Sequence, residues 1–470
     1  MPINLSISQP TPAIAAAYAR WSKNRAFMDG EEAVKEQGRL YLPAANPADT
    51  TEEYDAHKDR TGFLPAASKI AQGLCGLIER KRAQLNTKSF RIQLLTQLVT
   101  PDGESLDELV SWVIRETLIT NFTGLLVDHP SKESFTGLSA ANEIEKGYRP
   151  RLAAYSGECI LEVTPGLVNN CRQIVCVRLR ENDGDTIREL RLNAGVYQVR
   201  LWTRSAAEGY TPGPWKTPTR NGATLNEIPF VLVSTSDKLT PTPSLLQHSV
   251  DLNLQHYRVE GLLTSVLYFL SAPIPTVRGL KPAKNEQGED IPISLKVAPG
   301  VAWVFPETDT IAEYLEFKGQ GASVIENKLK NIKDELSTIG HSILAPEKPA
   351  PEAAETQMLR RAAENATLAG FTRSISRKLE RALKHFALWA DPTYAADLTY
   401  SLNTDFLPQQ MTPQEMTALM GMWQAGAITH ETLLLALRDG EVVSSVFNIE
   451  DEIERTKLET SDRPPVDPLI

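Results

Sequence analysis

The stretch from Pro243 to Leu388 constrains this chain more than any other. It reads as helix, compact insert, helix, proline-rich break, long helix. The first helix begins after Thr240-Pro241-Thr242-Pro243, with Ser244 as its N-cap, and carries Leu245, Leu252, Tyr257, Leu263, Val266 and Phe269. Ala272-Pro273-Ile274-Pro275 ends it, because proline lacks the N–H a helix needs and its ring clashes with the preceding turn. Its roughly 28 residues would span about 40 Å at the helical rise. One small core cannot wrap such a rod, so the pattern predicts neighbours along its length.

The insert, Ser271 to about Lys318, is dense in proline and glycine, with strand-like runs at Ile293 to Val297 and Val301 to Phe305. Lys281 and Lys284 lie in its polar turn and Lys296 in the first run. A second rod starts near Gln320 and repeats Val324, Ile325, Leu329, Ile332, Leu336 and Ile339, while Lys328, Lys330 and Lys333 fall on other faces. Ala345-Pro346-Glu347-Lys348-Pro349-Ala350-Pro351-Glu352 cannot be helix and predicts a stiff extended loop. Helix resumes at Ala353 to Thr356 and runs to about Ala390.

The flanks predict an α+β chain. Helices are expected at 11–28, from a Thr50/Thr51 cap with Glu53, from Pro65 to Leu85, and from Leu106 to Val127, where Gly124 to Pro130 also reads as a strand entering a turn. Arg80-Lys81-Arg82 would sit in the last helical turns, where the helix dipole favours cations. Between Arg149 and Ser234, short alternating runs broken by Asn182-Asp183-Gly184-Asp185, Ala194-Gly195 and Asn221-Gly222 predict antiparallel hairpins. Arginines alternate with apolar residues there, as on a solvated sheet face, with contact to a neighbouring subunit as the alternative. A strand at Leu398 to Phe406, helices from Thr412 and Thr429, and a charged helix at Ile449 to Leu458 follow. The tail from Ser461 has three prolines and predicts disorder.

The sequence points away from chemistry. It contains no phosphate loop, no dinucleotide fingerprint, no HExxH and no GxSxG, so neither a catalytic site nor a cofactor is expected. The four cysteines form no CxxC and have no histidine at metal spacing, which predicts reduced, mostly buried thiols and no metal. Asp128 and His129 precede Pro130 and read as a turn with satisfied side chains; a hydrolase built on them is the weaker alternative. His248 and His256, eight apart on one rod, read as packing or interface residues. No signal peptide or membrane span is expected, since the apolar run near Leu262 to Leu270 is too short. The net charge of −10 argues against nonspecific adsorption on nucleic acid, yet suits a channel that must grip DNA weakly.

The order of parts resembles that of tailed-phage portal proteins. Local strings carry the likeness: Trp21 to Gly30, Tyr41-Leu42-Pro43, Gly124 to Pro130, Ile228-Pro229-Phe230, Asp251 to Arg258, and the helix start Gly426 to Thr432. They look like a portal branch first described only as a domain of unknown function. The resemblance implies a homo-dodecamer at one capsid vertex of a virion, assembled in the host cytoplasm. Its parts would be a wing (1–242), stem helices (243–270 and 320–344), a clip (271–319), a tunnel loop (345–355), a wing helix and strand (356–411), a short crown (412–460) and a tail. It implies double-stranded DNA as cargo. Implied partners are the terminase large subunit, the major capsid or scaffolding protein and a head–tail adaptor. Pro346, Glu347, Lys348, Pro349 and Pro351 would lie nearest DNA, Lys328, Lys330 and Lys333 would charge the stem, and Lys281, Lys284 and Lys296 the clip. A cytosolic helical scaffold without DNA contact is the competing reading; it leaves the insert between two rods unexplained.

Overall fold

The structure, a computed structural model, describes residues 6–130, 147–205, 209–271, 274–279, 311–315, 320–344, 354–406, 411–440, 442–443 and 449–461. In chain order the helices are α1 (Pro12–Asp29), α2 (Glu31–Glu36), α3 (Thr51–Arg60), α4 (Ala66–Glu79), α5 (Phe90–Leu95), α6 (Leu106–Thr120), α7 (Gln247–Ser271), α8 (Gln320–Leu344), α9 (Ala354–Ala390), α10 (Pro413–Gln424), α11 (His430–Asp439) and α12 (Ile449–Ser461). The strands are β1 (Gln84–Asn86), β2 (Thr123–Asp128), β3 (Arg151–Tyr155), β4 (Ile160–Val168), β5 (Cys171–Glu181), β6 (Thr186–Asn193), β7 (Val196–Ser205), β8 (Gly209–Pro212), β9 (Thr219–Arg220), β10 (Ala223–Thr224), β11 (Phe230–Val233), β12 (Ile274–Arg278), β13 (Ile311–Leu315) and β14 (Thr399–Ser401). The fold is α+β with antiparallel sheets, divided into a first unit (1–25, 69–247, 341–470) and a second (26–68, 248–340).

The first unit is organised by a five-stranded meander, β4 to β8 in sequence order, and a three-stranded sheet in the order β11-β2-β3. Between Cys171 and Ser205 the strands turn at Asn182-Asp183-Gly184 and Ala194-Gly195, whose backbones hold the positive φ such turns demand. Trp21, Phe122, Leu126, Ile160, Val177, Leu179, Leu190 and Phe230 pack into one buried cluster. The Trp21 indole N–H donates to Thr120 O at 2.9 Å, so its one polar atom is satisfied inside that core. Gly124 is required there, because a Cβ would lie 2.7 Å from the Phe230 ring. Ile375, Leu379, Leu383 and Phe386 make the buried stripe of α9, which packs on β11, β2 and β14.

The expected helix from Leu106 to Val127 stops at Thr120. Asn121 adopts a left-handed conformation (φ 52°), and its amide then ties down the neighbouring loop. Nδ2 shares its two hydrogens among Thr235 Oγ1 (2.8 Å), Thr242 Oγ1 (2.9 Å) and Pro243 O (3.1 Å), and Oδ1 accepts from Thr235 N–H (2.9 Å). Asn121→Ala therefore loses these amide bonds and a tolerated left-handed residue, and should lower the unfolding free energy by about 3 kcal/mol. Urea denaturation followed by circular dichroism measures it, and Asn121→Gly should recover only the backbone share.

Other boundaries shift for local reasons. The helix from Pro65 ends at Glu79, not Leu85, and a short strand, β1, follows. Arg80-Lys81-Arg82 thus lie past the helix, and their charges are met by carboxylates. Lys81 Nζ pairs with Asp405 (2.6 Å), Arg80 donates to Asp405 O (3.0 Å), and Arg82 pairs with Asp107 (3.1 Å). The strand expected over Leu398 to Phe406 shortens to β14, which pairs with β1. Ser244 does not cap α7, which begins at Gln247; Ser244 closes a turn through its carbonyl instead (3.2 Å). The arginine-bearing face of the meander is no solvated surface. Arg178 and Glu189 are buried, and Arg178–Glu162 (2.5 Å) and Arg200–Glu189 (2.7 Å) bridge neighbouring strands on that face, while Arg188–Glu181 (2.7 Å) lies on the opposite one.

In the second unit, Phe27, Tyr41, Leu42, Ala67, Val250 and Tyr257 form one buried cluster. Leu252 packs with Ile332 and Leu336 in another, joining α7 to α8. β12 and β13 pair antiparallel from Ile274–Leu315 to Arg278–Ile311, so the insert is closed at its base by strands the sequence did not announce. The strands expected at Ile293 to Val297 and Val301 to Phe305 lie outside the described residues.

Candidate functional site

The α7–α8 pair of the second unit is the candidate site. Each helix has 25 residues, about 37 Å at the helical rise. Leu329, Ile332 and Leu336, spaced three and four apart, form the buried stripe of α8. That periodicity leaves Lys328, Lys330 and Lys333 exposed, and none forms an ion pair with a described residue. Glu335 is taken by His248, with Nε2 3.6 Å from its carboxylate.

α7 is held to the segment 40–67 by its polar residues. Asn253, fully buried, accepts from Ala67 N–H (2.9 Å) and donates to Leu64 O (2.9 Å). Arg258 donates to Tyr41 O (3.0 Å) and Leu40 O (3.1 Å). Two strings that carried the resemblance, Tyr41-Leu42-Pro43 and Asp251 to Arg258, are thereby brought into contact. Neither bond was readable from spacing, since the partners lie more than 180 residues apart. In the last turns of α7, Leu262, Leu267 and Tyr268 are each about half exposed, and the Arg60 guanidinium lies over the Tyr268 ring.

A cleft of about 460 Å³ opens beside these helices, lined by Phe63, Leu64, His256, Glu260, Lys330 and Lys333 among others. Glu260 stands one helical turn beyond His256. Burial, with Lys333 nearby, pushes the His256 imidazole down from its ordinary value; burial and Arg60 do the same to His57. Both histidines are therefore held neutral in the folded state, so the unfolded chain binds more protons. The stability this gives is present above the ordinary value of about 6.5 and is lost as pH falls below it. The loss grows as pH falls below that point and stops once the folded chain also takes up the proton. Denaturation midpoints at pH 7.5 and 5.5 measure it, and His256→Gln should flatten the profile.

Pro346, Glu347, Lys348, Pro349 and Pro351, and the clip residues Lys281, Lys284 and Lys296, lie outside the described residues. Asp128 and His129 are both satisfied in the first unit. Asp128 accepts from His129 N–H (2.9 Å) and pairs with Arg188 (3.3 Å), while the His129 ring stacks on Trp389 with centroids 4.7 Å apart. The cysteines are free, and Cys171 is exposed rather than buried, since it opens β5 at the sheet rim. Burial pushes the Cys75 thiol up to about 11 and the Cys176 thiol up to about 12. Among the described residues no group of three or more His, Cys, Asp or Glu could hold a metal ion, and no helix is long and apolar enough to cross a membrane.

No curated protein matches the chain in sequence. Among solved structures it is similar to a chain in the neck of an empty gene transfer agent particle computed with C6 symmetry. That likeness has 10% identity and a TM-score of 0.40, covering 80% of this chain and 91% of the other. A chain in the virion of the native gene transfer agent particle gives 12% identity and a TM-score of 0.38, covering 85% and 98%. One in the neck of the native particle computed with C12 symmetry gives 12% and 0.34, covering 86% and 98%. Residues 246–390, from the start of α7 to the end of α9, match the family model described as a domain of unknown function, DUF4055.

Proposed function

We propose that this chain is the portal subunit of a tailed phage or phage-like particle. Twelve copies close into a ring at one capsid vertex, and double-stranded DNA enters and leaves through it. The observation that carries the reading is the build of the second unit. Two 25-residue helices flank an insert closed at its base by β12 and β13, and Leu262 and Leu267 in the far turns of α7 are about half exposed. Apolar residues on every side of a helix end call for neighbours, and identical copies supply them on both flanks. In this reading 1–242 is the wing, α7 and α8 are the stem, 271–319 is the clip, and 412–460 is a short crown.

The mechanism is physical. A separate terminase drives the DNA and docks on the clip, where a head–tail adaptor later takes its place. Capsid or scaffolding protein surrounds the wing. Exposed Lys328, Lys330 and Lys333, repeated around a ring, face phosphates with loosely held positive charge, so the duplex is centred without being trapped. Lys348 in the proline-rich segment lies nearest the DNA. The purified chain should form closed rings of about twelve copies by mass photometry and negative-stain imaging. A monomer or dimer at every concentration and salt would favour a scaffold protein instead. Lys348→Glu should abolish DNA packaging while the ring still forms.

A further inference from the structure

The portal reading gives no task to the groups around β1. In the first unit, β1 borders a cleft of about 930 Å³ lined by Arg80, Lys81, Arg82, Gln84, Asp107 and Arg438 among others. Among the described residues β1 pairs with β14 alone, and Leu85 faces Tyr400 across that ladder. Tyr400 N–H does not point at Leu85; it donates to Glu380 Oε2 at 3.4 Å. In an antiparallel ladder, facing pairs alternate between those that exchange hydrogen bonds and those that do not. Leu85–Tyr400 is of the second kind, so the Leu85 N–H and C=O turn away from β14 toward the cleft. Among the described residues neither group has a backbone partner. The far edge of β14 is closed by contrast: Tyr400 N–H is taken by Glu380 and Leu402 N–H by Ser376 Oγ (3.0 Å), both on α9.

The charge beside the open edge is positive. Asp405 offsets Lys81 and Arg80, while among the described residues Arg82 pairs only with Asp107, and both side chains of that pair are more than half exposed. So exposed a pair holds its partner by little and exchanges readily. We infer that this edge takes an extended acidic segment of a partner protein as a third strand. The segment's backbone C=O accepts from Leu85 N–H, its N–H donates to Leu85 C=O, and its carboxylates meet Arg82 and Arg438. A nucleic acid backbone accepts without donating along its phosphates, so it leaves the Leu85 carbonyl unmet; a peptide satisfies both groups. This inference is independent of the portal reading.

The test is fluorescence anisotropy of the full chain with a labelled hexapeptide of alternating valine and glutamate. It should bind in the micromolar range, and the valine–lysine analogue should not bind. Arg82→Glu, a change at an exposed side chain, should weaken binding about tenfold or more. Methylating the peptide's backbone nitrogens on the pairing edge should do the same without altering the protein. Leu85→Pro removes only an outward N–H, a place an edge strand tolerates, and should match the methylated peptide. The inference is overturned if no glutamate peptide binds below about 1 mM, if binding ignores both Arg82→Glu and methylation, or if oligothymidylate of equal charge binds more tightly.

Discussion

Replacing Glu189 by alanine should lower the unfolding free energy of the first unit by about 3 kcal/mol. Glu189 lies in β6 at the centre of the meander and is only 3% exposed. Its carboxylate accepts from Arg200 Nε at 2.7 Å and from the Trp202 indole N–H at 2.8 Å, and Arg191 lies 3.3 Å away. Arg200 is sandwiched with Trp202 and Trp215, at 4.4 and 4.3 Å from their ring centroids. Deleting the carboxylate strands a guanidinium and an indole N–H that packing prevents from turning away. Breaking a buried pair from one side costs roughly 3–5 kcal/mol; Arg200 keeps a fifth of its side chain exposed, which places the loss at the lower end. Glu189→Gln keeps an acceptor for Trp202 and should recover part of it. Guanidinium denaturation reads both, and a loss under about 1 kcal/mol would mean water satisfies the two donors.

The largest expected effect on assembly comes from Leu262→Glu combined with Leu267→Glu. Both side chains are about half exposed on α7, so the substitutions bury no charge within the chain and its far-ultraviolet spectrum should be unchanged. In a ring each would be covered by a neighbour, and every subunit boundary would then desolvate new carboxylates. Repetition multiplies that cost around the closed circle, so rings should give way to monomers in mass photometry. Rings of undiminished population would show that these turns of α7 lie outside the subunit boundary.

The readable parts were those with a local cause. The Thr50 and Thr412 capping boxes, the three-and-four spacing of Leu329, Ile332 and Leu336, and the Asn-Asp-Gly turn after β5 each write structure into neighbouring residues. The misses share a cause that is distant in sequence. Asn121 ends α6 by bonding Thr235 and Thr242; Asp405 meets Arg80 and Lys81 beyond the end of α4; β14 pairs with β1 from more than 300 residues away. Arginine alternation looked like a wet face because composition does not say that Glu162, Glu181 and Glu189 stand opposite. In the α7–α8 site, lysine exposure followed from periodicity, whereas the Asn253 clamp and the neutral His256 needed the tertiary fold.

The register of β12 with β13 has an evolutionary corollary. Arg278 and Ile311 stand side by side, so the chain departs and returns through one narrow gate. Whatever sequence fills 280–310 enters and leaves between these two paired residues. Loop closure grows with the logarithm of length, so swapping the filling for a longer or shorter one costs little. If the chain is a portal subunit, a lineage gains in this way a means to refit one end of it to new docking machinery.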